Sequence, residues 1–300
     1  MQRENCLTLR RRSHWLRVEP YLYVLPALMF LLAMVLYPIM YLADLSVRKA
    51  TMLRPPMPDI GSANFERVLS SSDFLQALWQ TSIWTFASVV ITGVLGLVSA
   101  LLLHEKFRGR GLMRMLILLP WVFPYVAAAI MWRFLLTQPF GYFDAWLHAA
   151  GLIEPGIGAL GSSGTAMVSA IVVNSWKHFP FIMLMLLAGL QAIPEDLDAA
   201  ARVDGASWFQ RLAYITIPML RPVMFSSLLI FVIWSLNAFS IIFLLTDGGP
   251  GKATEIVPLH IYRLSFVSFE FGTAAAASAV LFMLGLVLAS VYVRRMKEDL

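Results

Sequence analysis

The sequence predicts an all-α, polytopic membrane protein with six transmembrane helices. Three observations carry that prediction. Of the 300 residues, 59% are hydrophobic and 14% charged, whereas a soluble domain is about one quarter charged. The apolar residues gather into six runs, each near the ~20 residues needed to cross a bilayer. The cations, in turn, concentrate in alternate connecting segments.

The first run covers 21–43 and carries Pro26 and Pro38. It is too long for a typical signal-peptide core and has no evident small-x-small cleavage site. The second covers 81–103. The third, 113–132, is interrupted by Pro120 and Pro124. The fourth is 167–193, the fifth 222–246 and the sixth 272–293. Prolines are tolerated inside spans where neighbours satisfy the freed carbonyls, and they predict bent helices around a cavity. Residues 1–20 and 294–300 read as polar tails on a single transmembrane domain, 21–293.

Basic residues orient these spans. Arg3, Arg10, Arg11, Arg12 and Arg17 precede the first. Lys106, Arg108, Arg110 and Arg114 lie between the second and third. Arg202, Arg211 and Arg221 lie between the fourth and fifth, and Arg294, Arg295 and Lys297 follow the sixth. The intervening segments, 44–80, 133–166 and 247–271, hold fewer cations over many more residues. By the positive-inside rule both termini and the 194–221 segment are cytoplasmic. This distribution explains the net charge of +5 without a nucleic-acid partner. The single cysteine, Cys6, excludes a disulfide within the chain. On the outer side, 141–147 reads as a short interfacial helix. Pro55, Pro56, Met57 and Pro58 mark a loop before another short helix near 64–69. Residues 244–251 form a turn-rich exit from span five.

Segment 194–221 is a polar island between apolar spans. Pro194 suits a first helical turn, and Glu195, Asp196 and Asp198 complement the helix dipole there. Ala199, Ala200 and Ala201 favour helix, and Gly205 can take the left-handed conformation that ends one. A helical period resumes at Trp208, with Pro218 expected to break it before span five. The prediction is helix, tight turn, helix.

This island resembles the EAA loop of the integral-membrane subunits of binding-protein-dependent ABC importers. The family pattern runs roughly E-A-A, then D-G-A, then I-x-L-P. Ala200, Ala201, Asp204, Gly205, Ala206, Ile215, Ile217 and Pro218 occupy its positions. Ala199 stands where the family has its glutamate, and Ile217 where it has leucine. Residues 176–181, 245–250 and 271–276 resemble the sugar-importer, MalF/UgpA-type branch, with trehalose importers especially similar around 176–181. The resemblance implies a MetI-like type I importer permease fold and a second permease of the MalG type. It also implies two ABC ATPases that bind the ATP and Mg, and an extracytoplasmic solute-binding protein. This chain would need no cofactor of its own. Glu195, Asp196, Ala200, Ala201, Asp204, Gly205 and Ala206 would couple it to the ATPases.

Asn174, Lys177, His178 and Phe181 share one helical face by their i, i+3, i+4, i+7 spacing. A lysine at membrane depth either faces a wet cavity or snorkels to the interface. The resemblance places these four residues, with Phe231 and Trp234, around a transported sugar such as trehalose or maltose. Glycerol-3-phosphate or another polyol is the alternative solute, since Lys177 could meet a phosphate. An enzyme is not predicted: no Walker A loop occurs, and the spans carry no paired catalytic carboxylates or serine–histidine set. A stand-alone secondary carrier, a different class of protein, would need buried carboxylates in its spans. The five histidines are too scattered along the chain to suggest a metal site.

Overall fold

The computed structural model describes residues 2–51, 58–154 and 157–298, with side chains described over 21–51, 58–154 and 157–294. The side chains of Cys6 and of the basic residues before Tyr21 lie outside the described residues. So do Pro55, Pro56 and Met57 of the expected loop, and the side chains of Arg295 and Lys297.

Helix α1, Gln2–Ser46, runs without interruption from the expected polar tail into the first span. Within its apolar stretch, Tyr21–Ser46, the most apolar 18-residue window has no buried residue, and the helix touches the bundle mainly through the last helix. Helix α2, Ala63–Ser70, is tied back to the end of α1 by Asn64, whose amide donates to the Ser46 and Arg48 carbonyls, both at 2.8 Å. Helix α3, Ser72–His104, starts nine residues before the expected span because Ser71 caps it, accepting from the Phe74 N–H.

The third span is two half-helices, α4 (Arg110–Val122) and α5 (Tyr125–Leu136), which meet at 93°. Proline explains the break. Pro124 has no N–H to continue the helix, and the residue before it is forced out of the helical region. Phe123 is accordingly extended, with ψ 136°. The short helix α6 (Tyr142–Ala149) follows, then α7 (Ser163–Gln191), opened by a capping box between Ser162 and Thr165.

Helices α3 and α7 form the centre of the bundle. They approach closely because α3 presents small residues at helical spacing: Thr81, Thr85, Ser88, Thr92, Gly96 and Ala100 are all buried. A Cβ at Gly96 would sit 2.6 Å from Ile182 Cγ2. Small residues that let backbones approach are the usual adhesive between helices in lipid, where no hydrophobic driving force separates helix from solvent.

Helix α8 (Glu195–Val203), a turn, and α9 (Trp208–Arg211) make up the island, as the sequence predicts. Pro218 does not break the chain there. A π-helical turn, Leu212–Thr216, joins α9 to α10 (Ile217–Leu236), so the stretch Trp208–Leu236 is one continuous rod. Pro218 falls in the first turn of α10, where a missing N–H is tolerated. The fifth span also ends earlier than expected. It stops at Leu236, and residues 240–245 form a separate helix, α11 (Ser240–Leu245). Helix α12 (Val257–Phe266) and the last span, α13 (Phe271–Glu298), complete the fold. Among the described residues, five helices are long and apolar enough to cross a membrane, and the bent α4–α5 pair makes up to six.

Candidate functional site

Three features carry chemistry: the α8–α9 island at one end of the bundle, a cavity between its two broken spans, and a cluster around Glu255.

The island is built by local hydrogen bonding. Gly205 has φ +79°. Its N–H donates to the Arg202 carbonyl and that of Ala206 to the Ala201 carbonyl, at 3.1 and 2.9 Å, a Schellman-type closure. Ser207 and Gln210 then form a capping box that starts α9. Asp198 clamps the two helices together: it meets Arg202 at 2.9 Å within α8 and Arg211 at 2.5 Å across the turn. None of the α8 residues is buried. Glu195, Asp196, Ala200, Asp204 and Gly205 are exposed, and Ala201 and Ala206 half-buried. The Lys106–Glu195 pair, 3.8 Å apart between two largely exposed side chains, adds little to stability. A shallow hollow of about 320 Å³ lies beside the turn, floored by Gln210, Arg211, Tyr214 and Ile215. The sequence reading took Arg211 only as an orienting cation and missed its pairing with Asp198.

The cavity, about 270 Å³, lies where α5, α7 and the α10–α11 break converge. Asn174 and His178, which share a helical face by spacing, line it with Phe231 and Trp234, which the resemblance adds, and with Tyr125, Ser235 and residues 237–241. Ser235, Asn237 and Ala238 are the further residues that span five offers from sequence; Tyr125 is not singled out by it. The available signal was Pro124, whose break turns the next side chain into the bundle. Irregular backbone inside a membrane bundle is tolerated where it lines a cavity, and both span breaks do so.

The wall has defined polarity. The Asn174 carbonyl faces His178 Nδ1 at 2.8 Å. A carbonyl only accepts, so Nδ1 donates, and in the neutral ring Nε2 accepts from the Tyr125 hydroxyl at 2.9 Å. Asn174 Nδ2 and Ser235 Oγ, both buried, have no hydrogen-bond partner among the described residues. Buried polar groups are rarely left unpaired. Aromatic faces surround them: Phe231 lies 5.1 Å and Trp234 6.2 Å from the His178 ring, centroid to centroid. Trp84 fixes the end of α10 by donating to the Ser235 carbonyl at 3.1 Å.

Lys177 and Phe181 stand differently from the expectation. Lys177 is 1% exposed and neither snorkels nor faces the cavity. Its ammonium donates to the carbonyls of Pro120, Trp121 and Phe123, at 3.2, 3.4 and 2.5 Å. Phe181 backs the wall, packed between Trp121 at 5.8 Å and Trp234 at 4.8 Å.

A third cluster closes the opposite end of the bundle. Glu255, 3% exposed, is held by His260 at 2.9 Å and by Arg263. Arg263 also donates to the Asp247 carbonyl at 2.6 Å. Thr254 meets Thr246 at 2.7 Å and the Gly249 carbonyl at 2.9 Å. The 246–250 turn is therefore a buckle rather than a free loop. Burial pushes the Glu255 carboxyl up, but the His260 hydrogen bond and the Arg263 charge outweigh it and hold the group below its ordinary value.

Comparison with known proteins places these features in a family. The chain is 36% identical over 281 residues to the trehalose/maltose transport system permease protein MalF of Thermococcus litoralis, covering 93% of this chain and 94% of that one. It is 32% identical over 275 residues to the trehalose transport system permease protein SugA of Mycobacterium tuberculosis, covering 91% and 87%. Its fold matches the crystal structure of a bacterial ABC transporter involved in import of the acidic polysaccharide alginate, with TM-score 0.82 at 23% identity, over 96% of this chain and 99% of that one. Residues 92–298 match the family described as binding-protein-dependent transport system inner membrane component. A multi-pass bundle with that match over more than half its length belongs to this family: the chain is a membrane-embedded permease component of an ABC transport system that depends on a binding protein.

Proposed function

We propose that this chain is the permease subunit of an ATP-driven importer and that it passes an uncharged sugar of disaccharide size through the α5–α7–α10 cavity. The observation that carries this reading is the composition of the cavity wall. Unpartnered Asn174 and Ser235 groups and the Tyr125 hydroxyl lie beside the flat faces of Phe231 and Trp234. Sugars need this mixture, with donors and acceptors for hydroxyls and apolar planes for C–H faces. The names of the relatives, trehalose and maltose permeases, agree with it.

The cavity supports a second permease. At about 270 Å³ it falls short of the ~300–1,000 Å³ typical of small-molecule sites, so a MalG-type partner would complete the walls. Two ATPases would each receive a coupling helix, one of them α8 with Glu195, Asp196, Ala200 and Ala201, followed by the Asp204–Gly205–Ala206 turn. ATP and Mg would be bound there and not on this chain. A solute-binding protein would dock at the end that carries α6 and the 246–263 buckle, with both termini cytoplasmic. The alternative, glycerol-3-phosphate, loses its main support. Lys177 has three N–H groups, and three carbonyls occupy them, so it offers no free cation to a phosphate.

The test is uptake by proteoliposomes holding the co-purified complex with its binding protein. We expect ATP-dependent accumulation of labelled trehalose or maltose, with no competition from glycerol-3-phosphate. Sugar uptake by the permeases alone, without a nucleotide hydrolase, would refute the driven mechanism. Preferential uptake of the phosphate ester would refute the solute.

A further inference from the structure

We propose that Lys177 is a positioning residue that pins the α4–α5 break and thereby sets Tyr125 in the cavity wall. The argument begins with missing donors. In an unbroken helix the Pro120 carbonyl would accept from the N–H four residues on, and that residue is Pro124, which has none. Helix α4 ends at Val122, so its last carbonyls lack intrahelical partners. A helix C-terminus also carries the negative end of the helix dipole.

One ammonium answers both needs. It brings three N–H donors and a positive charge to the carbonyls of Pro120, Trp121 and Phe123. Because these carbonyls bracket the bend, the ammonium fixes where α5 begins. Tyr125 is the first residue of α5. The ammonium sits 4.3 Å from the centroid of its ring, a cation–π contact, while the Tyr125 hydroxyl reaches His178. Lys177 and His178 are neighbours on α7, so this helix holds Tyr125 from two sides: the ring by Lys177, the hydroxyl by His178. An ionisable residue inside a span is costly without a partner, and here the bend itself is the partner.

This inference rests on the cavity being the solute site, and two readouts separate the ideas. The complex is prepared with Cys6→Ser and Phe123→Cys, and its assembly is checked by co-purification of the subunits. The rate at which a water-soluble maleimide labels residue 123 reports the break without reference to any solute. Lys177→Met, similar in length but without a donor, should raise that rate by at least about tenfold, since one hydrogen bond to a charged group is already worth that much and three are lost. Lys177→Arg should restore most of it. The second readout, without the Phe123 substitution, is the trehalose concentration giving half-maximal ATPase stimulation. Lys177→Met and Tyr125→Phe should each raise it, and the double variant should be no worse than the poorer single one, as expected for residues acting in one unit. Unchanged labelling in Lys177→Met would overturn the proposal, as would additive effects in the double variant, which would make the lysine an independent contact. Faster labelling rescued by arginine supports the pin. If it comes with no change in half-saturation from Lys177→Met or from Trp234→Ala, the solute lies elsewhere and the reading of the cavity fails instead.

Discussion

Gly205 offers a test in which backbone conformation and side-chain size make opposite predictions. Its φ of +79° is left-handed, and a Cβ added there would meet nothing within 4 Å. Within this chain bulk is therefore harmless, and the dihedral decides whether the turn closes. An alanine in that region costs about 1–2 kcal/mol, so at the middle of that range the closed turn would lose about tenfold in population. Asparagine, although larger, tolerates the left-handed region far better. Proline, locked near φ −65°, cannot enter it and also lacks the N–H that Gly205 donates to the Arg202 carbonyl. The expected order of ATP-driven uptake is glycine, asparagine, alanine, then proline, with proline close to zero while the protein still reaches the membrane. Uptake by reconstituted complexes, normalised to permease content, measures it. Alanine matching or exceeding asparagine would show that size rather than φ governs the turn. Normal uptake by Gly205→Pro would refute the coupling role of the island.

The remaining predictions concern the cavity, the central packing and the 246–263 buckle. Trp234→Ala should weaken solute-stimulated ATPase more than basal ATPase, because it strips one aromatic face from the wall; equal loss of both would make Trp234 structural. Gly96→Leu should lower the thermal unfolding midpoint of the complex, since even its Cβ would sit 2.6 Å from Ile182 and overpacking costs about 1–3 kcal/mol. Gly285→Leu, with nothing within 4 Å in this chain, is the matched control. The Glu255 carboxyl is held below its ordinary value in the folded chain. Its contribution should be fully present above the ordinary carboxylate range and be lost as pH falls through the lower, folded value. Hydrogen exchange across 246–263 should therefore stay protected from neutral pH down to that range and open only in more acid solution. Opening already near neutral pH would refute the role of the Glu255 carboxylate.

Local chemistry was readable in the sequence, and contacts across the chain were not. Pro194, the three alanines and Gly205 specify a helix and its stop within a dozen residues, so α8, its turn and α9 follow from sequence. The grouping of Asn174 and His178 follows from helical spacing on one element. Lys177 has the same spacing yet turns to carbonyls more than fifty residues earlier in the chain, and no local pattern encodes that choice. The extent of the fifth span was misjudged at both ends for related reasons. Hydropathy does not register the π-helical turn that carries the chain past Pro218, nor the unwinding after Leu236. There the Asn237 amide donates to the Ile233 carbonyl at 2.8 Å and closes the helix.

Those two misjudged ends turn out to have mechanical content. Because Pro218 does not break the chain, the rod Trp208–Leu236 begins at the island and ends at the cavity. Its 29 residues span about 40 Å at ~1.5 Å per residue. One end is joined to α8 by the Arg211–Asp198 pair, and the other carries Phe231, Trp234 and Ser235. In the proposed importer, a tilt imposed on α8 by an ATPase crosses the turn and one side-chain pair and then travels along a single helix that itself supplies a wall of the cavity. The break after Leu236 then lets that wall move without dragging α11, which packs against α5. A rod that was broken at Pro218 but continuous to Thr246 would do the reverse, isolating the island and locking the cavity to the outer end.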